Sequence, residues 1–187
     1  MLLVKFMRFD IITIFPEIFD SYFSETILKR AQQKKLIEIK VHGLRDYTAD
    51  KHKTVDDKPY GGGPGMTLKI KPLIKAIVSI LNPKSKILNP KQIPNPKSKK
   101  SKIILFSPVG KQFDNKMAKQ LAKNYKQLIL ICGRYEGVDE RVKKVVSDFG
   151  FRISDLSIGP YVLTGGELAA MVLIDSVSRQ VPDVLGK

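Results

Sequence analysis

An α/β fold, with a mostly parallel sheet flanked by helices, is what three features of this sequence predict. Short apolar, β-branched runs alternate with helical stretches of 10–13 residues through the second half of the chain. These runs are continuously apolar instead of alternating, as strands covered on both faces are. Glycine-containing loops follow them, where such sheets gather ligands at the carboxyl ends of their strands. At 187 residues the chain suits one domain.

Each element has a sequence cue. Residues 8–15 (RFDIITIF) form a β-branched run that Pro16 ends, a first strand. Pro16 then opens a helix, with Ile18, Phe19, Tyr22, Phe23, Ile27, Leu28 and Ala31 at three- and four-residue steps. Residues 36–42 (LIEIKVH) alternate as a second strand, and residues 43–66 carry little periodicity. Residues 72–81 are apolar enough for a helix. Residues 82–102 change character, with Asn-Pro-Lys at 82, 89 and 95, seven lysines, four prolines and no acid. Such a segment cannot bury a core and reads as a solvated loop. Beyond it lie strands at 103–106 (IILF) and 128–132 (LILIC), and helices at 115–124 and 138–149. Short strand-like pieces at 153–163 then precede an apolar helix at 167–179.

Composition narrows the class. Lys and Arg number 33 against 18 Asp and Glu, a net charge of +15 that points to a polyanionic partner, nucleic acid ahead of a membrane surface. One Cys and two His exclude a disulfide framework and argue against structural zinc, so no metal site is expected. No apolar run reaches membrane-span length, and the opening MLLVKFMRF is interrupted by charge too soon for a secretory signal. The reading is a cytoplasmic, basic, globular protein with no membrane partner.

Three loops could carry chemistry: residues 107–110 (SPVG), 133–137 (GRYEG) and 158–166 (IGPYVLTGG). Their glycines allow close backbone approach to a ligand, and equally serve turns and helix starts. The run 61–66 (GGGPGM) lacks the Gly-Lys-Ser/Thr of a P-loop, which weakens ATP chemistry. Acid, base and nucleophile candidates are few. Cys132 ends a buried strand and suits a core thiol. His52 sits in a loop of mixed charge, and no nucleophile elbow supports a triad with either His. Glu136 and Glu167 adjoin glycines, Glu167 also suiting the positive end of a helix dipole, and Arg179 suits the negative end.

Residues 56–66 (DDKPYGGGPGM), 132–141 (CGRYEGVDER), 157–159 (SIG), 161–171 (YVLTGGELAAM), 175–179 (DSVSR) and 9–16 (FDIITIFP) closely resemble the bacterial tRNA (guanine-N1)-methyltransferases of the knotted SPOUT superfamily. The resemblance covers residues 8–186 apart from the lysine-rich loop. It implies a C-terminal deep trefoil knot, a rare exception to unknotted connections. It also implies methyl transfer from S-adenosylmethionine to N1 of the guanosine that follows the anticodon, position 37 of tRNA. Carried over residue by residue, the cofactor contacts fall on Ser107, Pro108, Gly133, Tyr135, Glu136, Ile158, Gly159, Pro160, Tyr161, Val162, Leu163, Gly165 and Gly166. The resemblance makes Arg179 the residue stabilising charge on the base, and Glu136 a carboxylate near the methyl group with an associated Mg2+. It implies a homodimer with guanine recognised across the interface, where His52, Asp56, Gly61, Gly62, Gly63 and Gly65 would contribute.

The sequence departs from that family in three places. It ends at Lys187, so the whole of residues 1–187 reads as the methyltransferase domain. The family continues through a linker bearing a catalytic aspartate into a helical tRNA-gripping domain. Pro160 stands where the family carries Asp, removing a backbone donor and a carboxylate. The loop at 82–102 is longer than usual, and without its seven lysines the chain holds 26 basic against 18 acidic residues. That loop is either an added tRNA contact or a solvated insertion. Three readings follow: a shortened methyltransferase of weak or no activity, a minimal enzyme using another acid such as Asp183 or a supplied partner, or a non-catalytic cofactor- or RNA-binding relic.

Overall fold

In the computed structural model of the chain, residues 6–59, 61–82 and 100–185 are described, and among them five strands form one parallel sheet. The strands are β1 (Met7–Thr13), β2 (Ile37–Gly43), β5 (Ser101–Gln112), β6 (Gln127–Ile131) and β7 (Ile153–Ser157). Their spatial order is β2-β1-β6-β5-β7, every pair parallel. A two-residue antiparallel pair, β3 (Asp56–Asp57) and β4 (Thr67–Leu68), lies apart from it. Most of the lysine-rich loop, residues 83–99, falls outside the described residues.

Helices cover both faces, which is why the strand sequences are continuously apolar. On one face Phe9, Ile11, Leu128 and Leu130 pack with α6 (Glu167–Ser178) through Ala170, Leu173, Ile174 and Val177. Here too lie α4 (Asn115–Asn124), whose start is capped by the Asp114 carboxylate accepting from Met117 N–H at 2.6 Å, and the segment after β1. On the other face Ile12, Ile103, Ile129 and Ile131 meet Leu73, Ala76 and Ile77 of α3 (Ile70–Leu81) and Val142 and Val146 of α5 (Arg141–Asp148).

Two elements differ from the sequence expectation. The helix expected from Pro16 is broken: a 3-10 turn at Pro16–Phe19 and α1 (Asp20–Phe23) precede α2 (Thr26–Gln33). Glu25 takes extended backbone between them, so the apolar residues reach the core from two short helices. The strand expected to stop at 106 continues to Gln112. Residues 107–110 loop out of it, and Leu156 faces both Phe106 and Lys111. Gly110 rides directly on the backbone of Asp155 and Leu156, where any Cβ would collide.

The centre of β1 holds a charge. Asp10 is fully buried and accepts from Arg8 Nε at 2.8 Å and Nη2 at 2.7 Å, and from Gln127 Nε2 at 2.7 Å. His42 Nε2 lies 2.8 Å from the same carboxylate, with the Tyr47 hydroxyl 3.2 Å from Nδ1. Burial pushes the Asp10 pKa up, but the hydrogen bonds from His42, Arg8 and Gln127 outweigh it and hold the carboxyl below its usual range.

A depressed folded pKa contributes stability above the unfolded carboxylate value, and that stability is lost as pH falls through the folded pKa. Urea midpoints measured from neutral to acid pH will therefore show an acid limb that Asp10→Asn flattens. The same substitution is expected to cost roughly 2–3 kcal/mol at neutral pH, the scale of hydrogen bonds to a charged group.

Candidate functional site

The looped-out segment of β5 and the carboxyl ends of β6 and β7 open into one cleft of about 660 Å³. Its walls come from the three glycine loops, and Pro59 and Thr67 close one side. Gly166 fixes the floor. Its N–H donates to the Gly133 carbonyl at 3.0 Å, and a Cβ there would stand 2.6 Å from Cys132 Cα. Only glycine lets the start of α6 lie this close to the end of β6.

Directly after that contact, Glu167 is buried at 2% exposure. Its Oε1 accepts from Thr13 Oγ1 at 2.8 Å and its Oε2 from Arg134 Nε at 3.0 Å. Thr13 ends β1 and Arg134 follows β6, so one carboxylate ties two strand ends to a helix start. The position also places negative charge in the first turn of a helix. The Arg134 guanidinium lies over the Phe15 ring, 4.7 Å from its centroid.

The cleft rim carries Glu136, Asp139, Glu140 and Asp155 against Arg134, Arg141 and Lys143. Arg141 Nε donates to Asp139 at 2.9 Å, and that hydrogen bond lowers the Asp139 pKa. Lys143 Nζ reaches Asp155 at 2.8 Å and Glu140 at 2.9 Å. Burial lowers the Lys143 pKa, but these two carboxylates leave it raised overall. Burial likewise drives the Cys132 thiol well up, which makes it an inert core group and not a nucleophile.

Of the thirteen residues named for cofactor contact, Ser107, Pro108, Gly133, Tyr135, Glu136, Ile158, Tyr161, Val162, Leu163, Gly165 and Gly166 line this cleft. Gly159 and Pro160 do not. Gly159 is buried in the turn behind, its N–H and carbonyl both bonded to Ser157 Oγ, and Pro160 is exposed. Tyr135 holds a φ of 58°, an uncommon backbone state for a non-glycine residue in a loop between two walls.

The 56–68 segment docks on the cleft by backbone. Glu136 N–H donates to the Met66 carbonyl at 3.0 Å, and Leu68 N–H to the Gly137 carbonyl at 3.0 Å. Gly65 lies against the Glu136 side chain. Asp56 sits in β3, His52, Gly61, Gly62 and Gly63 are exposed, and none of these four or Asp56 lines the cleft. Arg179 is exposed at the far end of α6 from Glu167, about 18 Å along the helix, and does not enter its own chain's cleft. Asp183 is exposed in a turn with φ 67°.

Sequence reasoning passed over Thr13, Phe15, Arg134, Lys143 and Asp155. A Thr in an otherwise apolar buried strand was the available signal for the first; Phe15 and Arg134 depend on contacts across 30 or more residues, and Lys143 and Asp155 on a helix-to-strand contact twelve residues apart. Among the described residues no group of three or more His, Cys, Asp or Glu is placed to hold a metal ion, and no helix is long and apolar enough to cross a membrane.

Comparison with known proteins follows the same residues. The profile of the family described as tRNA (Guanine-1)-methyltransferase TrmD matches residues 7–187. A tRNA (guanine-N(1)-)-methyltransferase of Dictyoglomus turgidum is 52% identical over 180 residues, 96% of this chain and 64% of that protein. Enzymes of the same name from Thermomicrobium roseum and Geotalea uraniireducens are 50% and 48% identical, each over 96% of this chain, and over 60% and 65% of their own lengths. The chain thus spans less than two thirds of these curated relatives.

Glu167→Ala leaves Arg134 without its partner and Thr13 without its acceptor inside the fold. Urea unfolding is expected to show a loss of about 3–5 kcal/mol, the range for breaking a buried pair on one side; a loss below 1 kcal/mol would mean the carboxylate is not what ties these ends together.

Proposed function

The chain belongs to the tRNA (guanine-1)-methyltransferase family, and on that premise we propose that it binds S-adenosylmethionine in the glycine-loop cleft and methylates N1 of the guanosine 3′ of a tRNA anticodon. The observation that carries this reading is the cleft itself, walled by three glycine-containing loops of three neighbouring strands. Nothing in it resembles a phosphate cradle, and its rim mixes four carboxylates with three cations. Such a lining suits an adenosine bearing a sulfonium better than a nucleotide bearing phosphates. Gly133, Ile158, Tyr161, Val162 and Leu163 would hold the adenine, with Ser107 and Pro108 as the opposite wall.

When bound, the cofactor supplies an electrophilic methyl group on sulfur. The protein's part is then mainly positioning. Glu136, exposed on the rim, would place a carboxylate beside the reacting centre. Mg2+ commonly keeps several waters and takes one or two carboxylates, so Glu136 alone could join it. N1 of guanine carries a proton at neutral pH, so a base must accept it as the methyl–nitrogen bond forms. The resemblance implies a base in a linker following the methyltransferase domain; within residues 1–187, Asp183 is the carboxylate nearest in sequence to that position.

The place of Arg179 supports a homodimer. Leu168, Val172, Asp175 and Arg179 recur at three- and four-residue steps on one face of α6. Leu168 and Val172 are 58% and 47% exposed, and the Tyr22 hydroxyl donates to Asp175 at 2.9 Å, joining exposed Tyr22 and Ile18 to that face. A second copy packed there would cover the patch and bring Arg179 toward the other chain's cleft. The path of the chain supports the knot: residues 158–166 run from edge strand β7 back to the end of β6, past the 107–110 segment that rides on β7. A tRNA substrate would support a cytoplasmic location.

The test is mass spectrometry of nucleosides from unmodified tRNA incubated with the chain and S-adenosylmethionine. N1-methylguanosine is expected, falling about 100-fold or more in Arg179→Ala, the scale of a lost charge-stabilising donor. No N1-methylguanosine, even when a relative's linker and C-terminal domain are fused to the chain, would overturn the proposed reaction.

A further inference from the structure

Beside the cleft lies a second cavity of about 660 Å³ that the reaction above does not use. It is bounded by residues 47–50, by β4 and by the first turns of α3, and it shares Pro59, Thr67, Asp139 and Arg141 with the cleft. The two are therefore contiguous, so a strand that leaves the cleft on the Pro59–Thr67 side would pass over the second cavity.

Its charges are unevenly matched. Asp139 is paired with Arg141, Asp57 lies 3.9 Å from Lys69, and Asp50 accepts from Thr54 N–H and Oγ1 at 2.9 and 2.7 Å. Those bonds hold the Asp50 carboxyl below its usual range, so it stays anionic. Lys58, Lys71 and Lys75 have no ion-pair partner among the described residues, although all three line the cavity. Lys71 and Lys75 stand four residues apart on α3, hence on one face of the helix. Tyr47, Pro59 and Pro72 also line the cavity.

We propose that this cavity seats the phosphodiester backbone of the RNA strand next to the nucleotide held in the cleft, with Lys71 and Lys75 as phosphate contacts. The proposal rests on the functional reading above, and names where that substrate's flanking backbone lies. Cations lying beside a cleft, instead of in it, position a strand without entering the chemistry. Lys71 and Lys75 should thus govern RNA affinity and its salt dependence, and leave the methyl donor's affinity alone.

The experiment compares the wild-type chain with Lys71→Gln/Lys75→Gln and with Lys116→Gln/Lys119→Gln, which removes the same charge from exposed positions on α4. Anisotropy of a labelled anticodon stem-loop is titrated from low to physiological salt. Each phosphate contact in a single strand contributes about 0.7 to the slope of log affinity against log salt, so the α3 variant should lose about 1.4 and the α4 variant nothing. S-adenosylmethionine binding should be equal in all three proteins. Equal slopes in the two variants, an unchanged slope in the α3 variant, or loss of cofactor binding in that variant would each overturn the proposal while leaving the function standing. Failure of the wild-type chain to bind the RNA at low salt would instead count against the functional reading and the cavity's role together.

Discussion

The backbone contact between Gly166 and the end of β6 is the constraint on which the site depends. With 2.6 Å between a would-be Cβ and Cys132 Cα, α6 cannot start there unless residue 166 is glycine. Because α6 starts there, Glu167 is buried beside Thr13 and Arg134, and the third glycine loop is drawn over the ends of β5 and β6. Gly110 plays the reciprocal part from β5, letting its looped-out residues lie on the β7 backbone. The cleft is the space these close approaches leave among three loops.

Charge is handled in two ways. Inside the fold, the two fully buried carboxylate residues among those described are surrounded by donors: Arg8, His42 and Gln127 around Asp10, and Thr13 and Arg134 around Glu167. That is the condition under which burial of a charge is tolerated. Outside it, the net charge of +15 is spread so that the cleft rim stays mixed while lysines with no ion-pair partner among the described residues lie next to it. A site balanced at its centre and cationic at its margin fits a small cofactor inside and a polyanionic strand alongside.

Much of this was legible in the sequence. Apolar runs such as LILIC read as a strand covered on both faces, and β6 is buried along residues 128–131. The glycine loops were visible as punctuation after strands, and eleven of the residues drawn from them line one cleft. What stayed hidden was relational. The Glu167–Thr13 bond joins residues 154 apart, which no local pattern reports. The break at Glu25 arises from backbone geometry inside a run whose apolar spacing still looks helical. Looping-out of residues 107–110 depends on β7 pairing on both sides of them, a property of tertiary register and not of the SPVG sequence. The position of Arg179 away from its own cleft likewise follows from helix length.

The most direct test of the central claim is calorimetric titration of the chain with S-adenosylmethionine, paired with Gly166→Ala. The account predicts saturable binding at one site per chain. It also predicts loss of that binding in the alanine variant, whose far-UV circular dichroism remains that of a folded α/β protein. Absence of heat at millimolar cofactor, or full binding by Gly166→Ala, would contradict it.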